Sequence, residues 1–253
     1  MLRLTACTAA YHESRSGPVT PVFVDLSLAV APGETLAVVG ASGCGKTTLL
    51  YSAAGLLEPR SGAVTLDERD VAGGDRRVGL VLQQYGLFPW FTVHENVALG
   101  LRLHGASPER AGQAADSALA AVGMAGLARR SILTLSGGEQ QRVALARTWA
   151  MQPDLLLMDE PFSALDALTR EDLQNLVHSL LRERSVAAIL VTHSMEEAVL
   201  LGTRIAIMHG SPAQLTETPN PVSSAAPSTL RTRDEFFHTV GALRRRFEEL
   251  GRA

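Results

Sequence analysis

The spacing of hydrophobic residues divides this chain into predicted strands and helices. Apolar and polar residues alternate over residues 2–9 and 22–30, which is typical of half-buried strands, and a loop rich in Ser, Gly and Pro over residues 14–21 separates them. Continuous apolar runs, which indicate fully buried strands, occur at residues 36–40, 155–158 and 186–191. Because buried strands that alternate with helices form a parallel sheet covered on both faces, the pattern predicts an α/β fold.

Between and after the predicted strands, several segments have hydrophobic residues at helical spacing. Residues 93–150 are alanine-rich and predict an inserted helical subdomain, in which Ser136 and Glu139 form a capping box that opens a helix. Residues 211–228, rich in Pro, Ser and Thr, predict a loose connector. We therefore divide the chain into a domain over residues 1–210, a linker over 211–230 and an amphipathic helix over 231–253.

Two further helices follow from apolar spacing. Thr48, Leu49, Ala53, Leu56 and Leu57 predict a helix that Pro59 stops. The terminal helix is predicted to bury one face, while its neighbouring arginines and glutamates form a solvated face. The residues on that buried face are Phe236, Val240, Leu243, Phe247 and Leu250.

Composition narrows the function classes. The chain has 253 residues, 46% of them hydrophobic, and a formal net charge of -3, so it has a sizeable core but no electrostatic basis for wrapping nucleic acid. Its two cysteines, Cys7 and Cys44, form no metal-binding spacing and suit a reducing compartment. No apolar run approaches the roughly 20 residues that span a bilayer, so any membrane role is expected to be peripheral.

The segment after the apolar run at residues 36–40 matches a phosphate-binding loop. Its sequence GASGCGKTT fits G-x-x-x-x-G-K-[ST] between a strand and a helix, where backbone N–H groups and the helix dipole can converge on phosphate. Lys46 is predicted to reach the β- and γ-phosphates of a nucleoside triphosphate, and Thr47 to bind Mg²⁺. Cys44 is interpreted as a spacer within the loop. The candidate cofactor-binding residues are Gly40, Ser42, Gly43, Cys44, Gly45, Lys46, Thr47 and Thr48.

Asp159 and Glu160 end a continuous apolar strand, where carboxylates are costly unless a cation or a water needs them. Asp159 is predicted to complete the Mg²⁺ shell and Glu160 to polarise the attacking water in phosphoryl transfer. In parallel sheets such chemistry gathers beyond the carboxyl ends of the strands. Gln83 and His193 follow two further predicted strands at the same edge.

Leu135-Ser-Gly-Gly-Glu-Gln-Gln-Arg142 is similar to the signature sequence of ATP-binding cassette (ABC) proteins, which other phosphate-loop ATPases lack. The remaining motifs occur in that family's order over residues 1–210. The resemblance implies a P-loop NTPase core of the RecA-like type with a mainly parallel sheet, an N-terminal antiparallel β subdomain and an inserted α-helical signature subdomain. Its implied cofactors are ATP and Mg²⁺.

The resemblance also implies roles for individual residues. Tyr11 would stack on the adenine ring, although on sequence alone a tyrosine that closes a strand is an equal alternative. Gln83 would contact Mg²⁺ or the attacking water and sense the membrane partner. His193 would hydrogen-bond the γ-phosphate. The implied catalytic residues are Glu160, His193, Gln83 and Lys46, and the implied metal ligands are Thr47, Gln83 and Asp159.

Ser136, Gly137 and Gly138 present another helix N-terminus to phosphate. In the family this surface closes over the nucleotide bound by the other subunit, with Asp166 at the dimer seam. One chain carries one phosphate loop and one signature. The resemblance therefore implies that two copies meet head to tail in a C₂ homodimer around two ATP molecules.

Residues 83–91 are unusually apolar for a loop. Leu87, Phe88, Trp90 and Phe91 either belong to the core or, as the family implies, form the groove that receives a coupling helix of a membrane permease. The sequence Leu-Phe-Pro-Trp over residues 87–90 resembles that of the ATP-binding subunits of importers of the nitrate, sulfonate, taurine and bicarbonate group. That resemblance implies a permease partner, an extracytoplasmic solute-binding protein that acts indirectly, and a location at the cytoplasmic face of the cell membrane.

Two other classes share the catalytic motifs, namely exporter or lipid-handling cassettes and soluble ABC ATPases that act on nucleic acid. The latter usually carry two cassettes, long coiled-coil insertions or basic surfaces, and the sequence has none of these, so no nucleic-acid partner is expected. The transported solute is not specified by the sequence, because the cassette does not contact it.

Overall fold

The computed structural model describes residues 1–12, 19–223 and 225–251. Its strands are β1 Leu2–His12, β2 Val19–Val30, β3 Thr35–Gly40, β4 Ser61–Leu66, β5 Arg69–Asp70, β6 Val78–Val81, β7 Leu155–Asp159, β8 Ala187–Thr192, β9 Arg204–His209 and β10 Gln214–Thr218. Its helices are α1 Lys46–Ala53, α2 Val93–Leu103, α3 Pro108–Ala121, α4 Gly137–Ala150, α5 Ala167–Arg184, α6 Met195–Leu201, α7 Pro227–Leu230 and α8 Asp234–Leu250. Between α3 and α4 lie short 3₁₀ turns at Ala125–Leu127 and Ile132–Thr134.

The central sheet has the strand order β10-β9-β3-β8-β7-β6. The strands from β9 to β6 pair in parallel, and β10 pairs antiparallel with β9 at one edge. Every residue of β3, β7 and β8 is buried, as expected for parallel strands covered on both faces. The predicted α/β fold with a mainly parallel sheet is confirmed, and it places the ends of β3, β7 and β8 side by side.

A second sheet, with the order β2-β1-β4-β5, is antiparallel throughout. It confirms the N-terminal β subdomain, although part of the predicted loop between β1 and β2, residues 13–18, lies outside the described residues. One hydrophobic cluster joins Leu4 of β1, Leu50 of α1 and Leu157 of β7. Helix α1, which follows the phosphate loop, is therefore buried in the core that the two sheets share.

The predicted helical subdomain is present between β6 and β7. Thr92 caps α2 with Glu95 in a capping box, and Ser136 caps α4 with Glu139 in the same arrangement. In each case the hydroxyl accepts from the backbone N–H three residues on, and the glutamate accepts in return, which satisfies orphan donors of the first turn. The predicted capping box at Ser136 is confirmed, and α2 begins at residue 93, where the helical subdomain is predicted to start.

Two predictions of local structure are wrong. Residues 211–228 are not a loose connector throughout, because β10 pairs with β9 from Gln214 opposite His209 to Thr218 opposite Ile205. Helix α1 ends at Ala53 rather than continuing through Leu57. Gly55 adopts a left-handed conformation with φ of 67°, which ends the helical path before those leucines.

Helix α8 buries Phe236, Val240 and Leu243, as the spacing predicts, while Arg245 and Glu248 stay exposed. Its buried face packs on the core cluster that also contains α6 residues. The division of the chain near residue 210 stays a prediction. Across the described ranges, none of the helices combines the length and apolar content needed to cross a bilayer.

Candidate functional site: a phosphate loop and three strand ends

The phosphate loop joins the end of β3 to the start of α1. Gly43 and Gly45 have φ angles of 79° and 107°, a left-handed conformation that favours glycine. A Cβ on Gly40 would lie 2.6 Å from Sγ of Cys44 and 2.8 Å from the carbonyl oxygen of Met208. The loop therefore requires glycine for close packing at Gly40 and for backbone direction at the other two positions.

Lys46 is held inside this loop. Its Nζ donates to the carbonyl oxygens of Gly40 and Ala41, each at 2.8 Å, and the residue is only 6% exposed. Lys46 is also the first residue of α1, and the N–H groups of that first turn carry the positive end of the helix dipole. This combination of a fixed cation and converging donors suits a polyphosphate anion.

Thr47 and Asp159 bring hard oxygen donors together. The Thr47 hydroxyl donates to Oδ2 of Asp159 at 3.0 Å, and Asp159 is 8% exposed. Burial raises the pKa of Asp159, and the hydrogen bond from Thr47 opposes that rise. In the described part of the chain no group of three or more His, Cys, Asp or Glu side chains could hold a metal. Mg²⁺ fits here nonetheless, because it takes one or two protein oxygens and completes its shell with phosphates and water.

Glu160 lies between Gln83 and His193. Gln83 Nε2 donates to Oε2 of Glu160 at 3.3 Å, and His193 Nδ1 lies 3.2 Å from the same oxygen. The backbone of Glu160 is left-handed, with φ of 45°, and its N–H donates to the carbonyl of Val191 at 2.9 Å. Strained backbone at a non-glycine position is common at functional sites, and here it fixes the carboxylate at the end of β7.

The phosphate loop, Gln83 and Glu160 border one cavity of about 470 Å³, whereas Asp159 and His193 do not line it. Its lining residues are Tyr11, Val22, Ser42, Gly43, Gly45, Lys46, Thr47, Thr48, Gln83 and Glu160. Tyr11 is 46% exposed, and its hydroxyl accepts from Thr48 Oγ1 at 3.4 Å. The position of the ring at the cavity wall is compatible with stacking on a base, which stays a prediction. Cys44 does not line the cavity, and its sulfur packs toward Gly40 instead.

Val22 is the lining residue that the sequence reasoning missed. Its Cγ1 would lie 2.5 Å from a Cβ on Gly45, so β2 of the antiparallel sheet closes one side of the phosphate loop. Alternation along β2 shows which residues share a face. It does not show which neighbouring element that face contacts.

Ser136, Gly137, Gly138 and Asp166 do not line the cavity. Ser136 and Gly137 are exposed at the start of α4, and Asp166 is exposed at the start of α5, where it accepts from the Thr169 N–H at 3.1 Å. The hydrogen bonds from Thr169 lower the pKa of Asp166. Ser136, Gly137 and Asp166 are therefore surface groups that do not line the cavity of their own chain, whereas Gly138 is buried.

The apolar segment over residues 83–91 is partly core and partly surface. Leu87 packs against the main cluster, whereas Trp90 is 73% exposed. Phe88 contacts Trp90 and Phe91 with ring centroids 5.6 and 6.0 Å apart. Asn96, fully buried, accepts from the Phe88 N–H at 2.8 Å and donates to the Phe88 carbonyl at 3.1 Å. A buried amide thus shapes an aromatic patch that reaches solvent.

A nucleotide-sized cavity of this construction, with a separate exposed serine-glycine turn at the start of α4, defines an ABC-type ATPase. The profile of the ABC transporter family matches residues 23–163, more than half of the sequence, and the chain belongs to this family.

Relatives named as taurine import ATP-binding protein TauB resemble this chain over most of its length. The protein of Pseudomonas aeruginosa is 43% identical over 217 residues, which cover 86% of this chain and 82% of the relative. The protein of Roseobacter denitrificans is 46% identical over 203 residues, with coverages of 80% and 76%.

Solved structures agree with the fold. The ATP-binding cassette MJ0796, in a dimeric post-hydrolysis state bound to ADP and Pi, matches with a TM-score of 0.76 and 31% identity, over 87% of this chain and 99% of that one. A second dimeric structure of MJ0796, a bacterial ABC transporter cassette, matches with a TM-score of 0.73.

Proposed function

We propose that this chain is the ATP-hydrolysing subunit of an importer for a small sulfonate of the taurine type. The observation that carries the proposal is that Glu160 and Gln83 line the same cavity as Thr47. His193 contacts Glu160, and the Thr47 hydroxyl donates to Asp159. The import direction and solute class are supported by relatives that are 43% and 46% identical and are named for taurine import.

Different residues of the site would bind the phosphates, hold Mg²⁺ and activate the attacking water. Lys46 and the loop N–H groups bind the phosphates, and Thr47, Asp159 and Gln83 would hold Mg²⁺, which neutralises phosphate charge when bound. Glu160 orients and polarises the attacking water. His193, on the same carboxylate oxygen, would hydrogen-bond the γ-phosphate and hold Glu160 in place.

A second copy of the chain is proposed to complete each site. Ser136, Gly137 and Asp166 are exposed and lie outside the cavity of their own chain, so they are free to cover a nucleotide on a partner. The dimeric ADP-bound relative supports this arrangement. Two copies would then enclose two ATP molecules head to tail.

The membrane partner is proposed to dock on residues 83–91. Trp90 gives this segment an exposed aromatic anchor beside Phe88 and Phe91, the kind of side chain that dominates interfaces. The side chain of Gln83 donates to Glu160, so the proposed docking segment begins beside the residue that would activate the water. The subunit would act at the cytoplasmic face of the membrane, and an extracytoplasmic solute-binding protein would signal through the permease.

The test is reconstitution of the cassette with its permease and solute-binding protein in lipid vesicles. ATP is enclosed in the vesicles, and taurine-loaded binding protein is added outside. We expect this addition to raise ATP hydrolysis and radiolabelled taurine to accumulate inside the vesicles. Nitrate and bicarbonate serve as competing solutes. Stimulation by nitrate alone would reassign the solute, whereas stimulation by DNA or RNA without the permease would contradict the transport function.

A further inference from the structure

Tyr85 is hydrogen-bonded to the last turn of helix α4 and lies close to the first turn of that helix. Arg147, in the last turn, donates from Nη1 to the carbonyl of Gly86 at 2.5 Å and from Nη2 to the carbonyl of Tyr85 at 2.9 Å. At the first turn, a Cβ on Gly137 would lie 3.3 Å from the Tyr85 hydroxyl oxygen. Gly137 and Arg147 are separated by about 15 Å along a helix axis. The carbonyl of Tyr85 therefore contacts the last turn of α4, and its hydroxyl lies close to the first turn.

The backbone of the loop is shaped for this contact. Tyr85 and Gly86 both adopt left-handed conformations, with φ of 59° and 58°. For a tyrosine this conformation is unfavourable, and it persists only where surrounding contacts hold it. Here it lets two successive carbonyl groups meet one guanidinium.

Arg147 has no other strong partner in the described ranges. No carboxylate there lies within salt-bridge distance of it, and burial lowers the pKa of its guanidinium. Its hydrogen bonds are those to Tyr85 and Gly86. A planar guanidinium can donate to two carbonyls at once, whereas a lysine ammonium in the same place is a single point charge.

The two ends of α4 carry different parts of the proposed mechanism. Its first turn is the serine-glycine turn proposed to cover the partner's nucleotide. Its last turn is hydrogen-bonded through Arg147 to the loop that follows Gln83, where the permease is proposed to dock. A continuous helix is a rigid element through which coupling can travel.

We propose that Arg147 and Tyr85 are positioning residues that transmit a displacement of residues 83–91 to the turn at residues 136–138. The inference rests on the proposed permease docking and deepens it. When the permease displaces the loop, the carbonyls of Tyr85 and Gly86 move, and Arg147 follows because it is hydrogen-bonded to both. Helix α4 is displaced with Arg147. The Tyr85 ring changes its position relative to Gly137 at the other end of the helix. The contact sets how strongly permease binding stimulates hydrolysis.

Arg147→Lys is the decisive variant, because it keeps the charge and loses the two-pronged contact. Arg182→Lys is the matched control, since it makes the same change at an exposed arginine of α5. We expect Arg147→Lys to keep basal hydrolysis without permease. Its stimulation by the assembled permease should fall by about fivefold or more. Arg182→Lys should be stimulated like the unchanged protein.

Amide hydrogen exchange separates docking from coupling. In the unchanged protein, permease binding should protect residues 87–91 and also alter exchange at residues 136–140. In Arg147→Lys the first effect should remain and the second should disappear. If Arg147→Lys fails to fold, Tyr85→Ala is measured in the same way, because it removes the ring and leaves both carbonyls.

The outcomes distinguish two failures. Unchanged stimulation and unchanged exchange at residues 136–140 in the folded variant would overturn the coupling role of Arg147. Absence of protection at residues 87–91 in the unchanged protein would instead contradict the proposed docking surface.

Discussion

His193 and Glu160 meet at one oxygen atom: Nδ1 of the histidine lies 3.2 Å from Oε2 of the glutamate. The two residues follow neighbouring parallel strands, β8 and β7, so the sheet itself sets their distance. Because Gln83 donates to the same oxygen, the carboxylate is held from both sides while the water it would activate approaches from the cavity.

Replacing Glu160 with Gln should separate binding from hydrolysis. The amide keeps the size of the side chain but cannot act as the base, so hydrolysis should fall by about 10²- to 10⁴-fold while ATP still binds. Turnover and equilibrium ATP binding are measured on the same preparation. Glu183→Gln, at an exposed site on α5, is the control. Turnover by Glu160→Gln close to that of the control would show that another group activates the water.

Lys46 offers a chemical test, because it is the only lysine in the sequence. An acyl-phosphate derivative of ATP transfers its acyl group to an amine beside the phosphates. Peptide mapping should find the label at Lys46, and excess Mg·ATP should prevent it. AMP, which lacks the β- and γ-phosphates, should protect poorly. Labelling confined to the Met1 amine, or labelling insensitive to ATP, would argue against a triphosphate at this loop.

Asp159 should reduce the stability of the nucleotide-free protein at neutral pH. Burial raises its pKa in the folded state, so its contribution to stability is fully present below the pKa of the unfolded chain. That contribution is lost as pH rises through the higher folded-state pKa. Asp159→Asn should therefore raise the free energy of unfolding at pH 7 by about 0.5–2 kcal/mol. The measurement is urea unfolding without nucleotide.

The same substitution should remove a proposed Mg²⁺ ligand. Stabilisation of the folded state by Mg·ATP should therefore be weaker in Asp159→Asn than in the unchanged protein. Asp154→Asn, at an exposed position before β7, should change neither quantity. Lower stability of Asp159→Asn in urea would mean that the carboxylate is needed by the fold itself.

Trp90 should act at the permease interface without affecting the fold. It is 73% exposed, so Trp90→Ala removes little buried area, yet loss of an aromatic anchor typically costs about 2 kcal/mol or more of binding, near 30-fold in Kd. Leu103→Ala, at a residue that is 78% exposed at the end of α2, controls for removal of a surface apolar group. Permease affinity in detergent and basal hydrolysis are measured together. Equal permease affinity of both variants would place the interface elsewhere.

Local signals in the sequence were sufficient where a residue's role depends on its neighbours in the chain. The phosphate loop, the capping box at Ser136 and the buried strand before Asp159 all belong to this class. They depend on glycine conformation, hydrogen bonding three residues on and continuous burial, which short segments encode.

The remainder depends on contacts between distant segments. The strand Gln214–Thr218 has the composition of a connector and becomes a strand because β9 offers it hydrogen-bonding partners. Val22 and Arg147 look like ordinary strand and helix residues. Only the packed structure shows that one closes the phosphate loop and the other holds the loop after Gln83. Tertiary context of this kind overrides local propensity and is not visible in a single sequence.

We expect each ATP to be shared by two copies of the chain. This sharing is tested most directly by measuring the mass and nucleotide content of Glu160→Gln at saturating Mg·ATP, with and without Ser136→Arg. We predict a dimer with two bound ATP molecules for the single variant. For the double variant we predict a monomer that still binds ATP at its own phosphate loop. A dimer of undiminished stability in the double variant would contradict the account, because the exposed turn at Ser136 would then have no part in holding the partner's nucleotide.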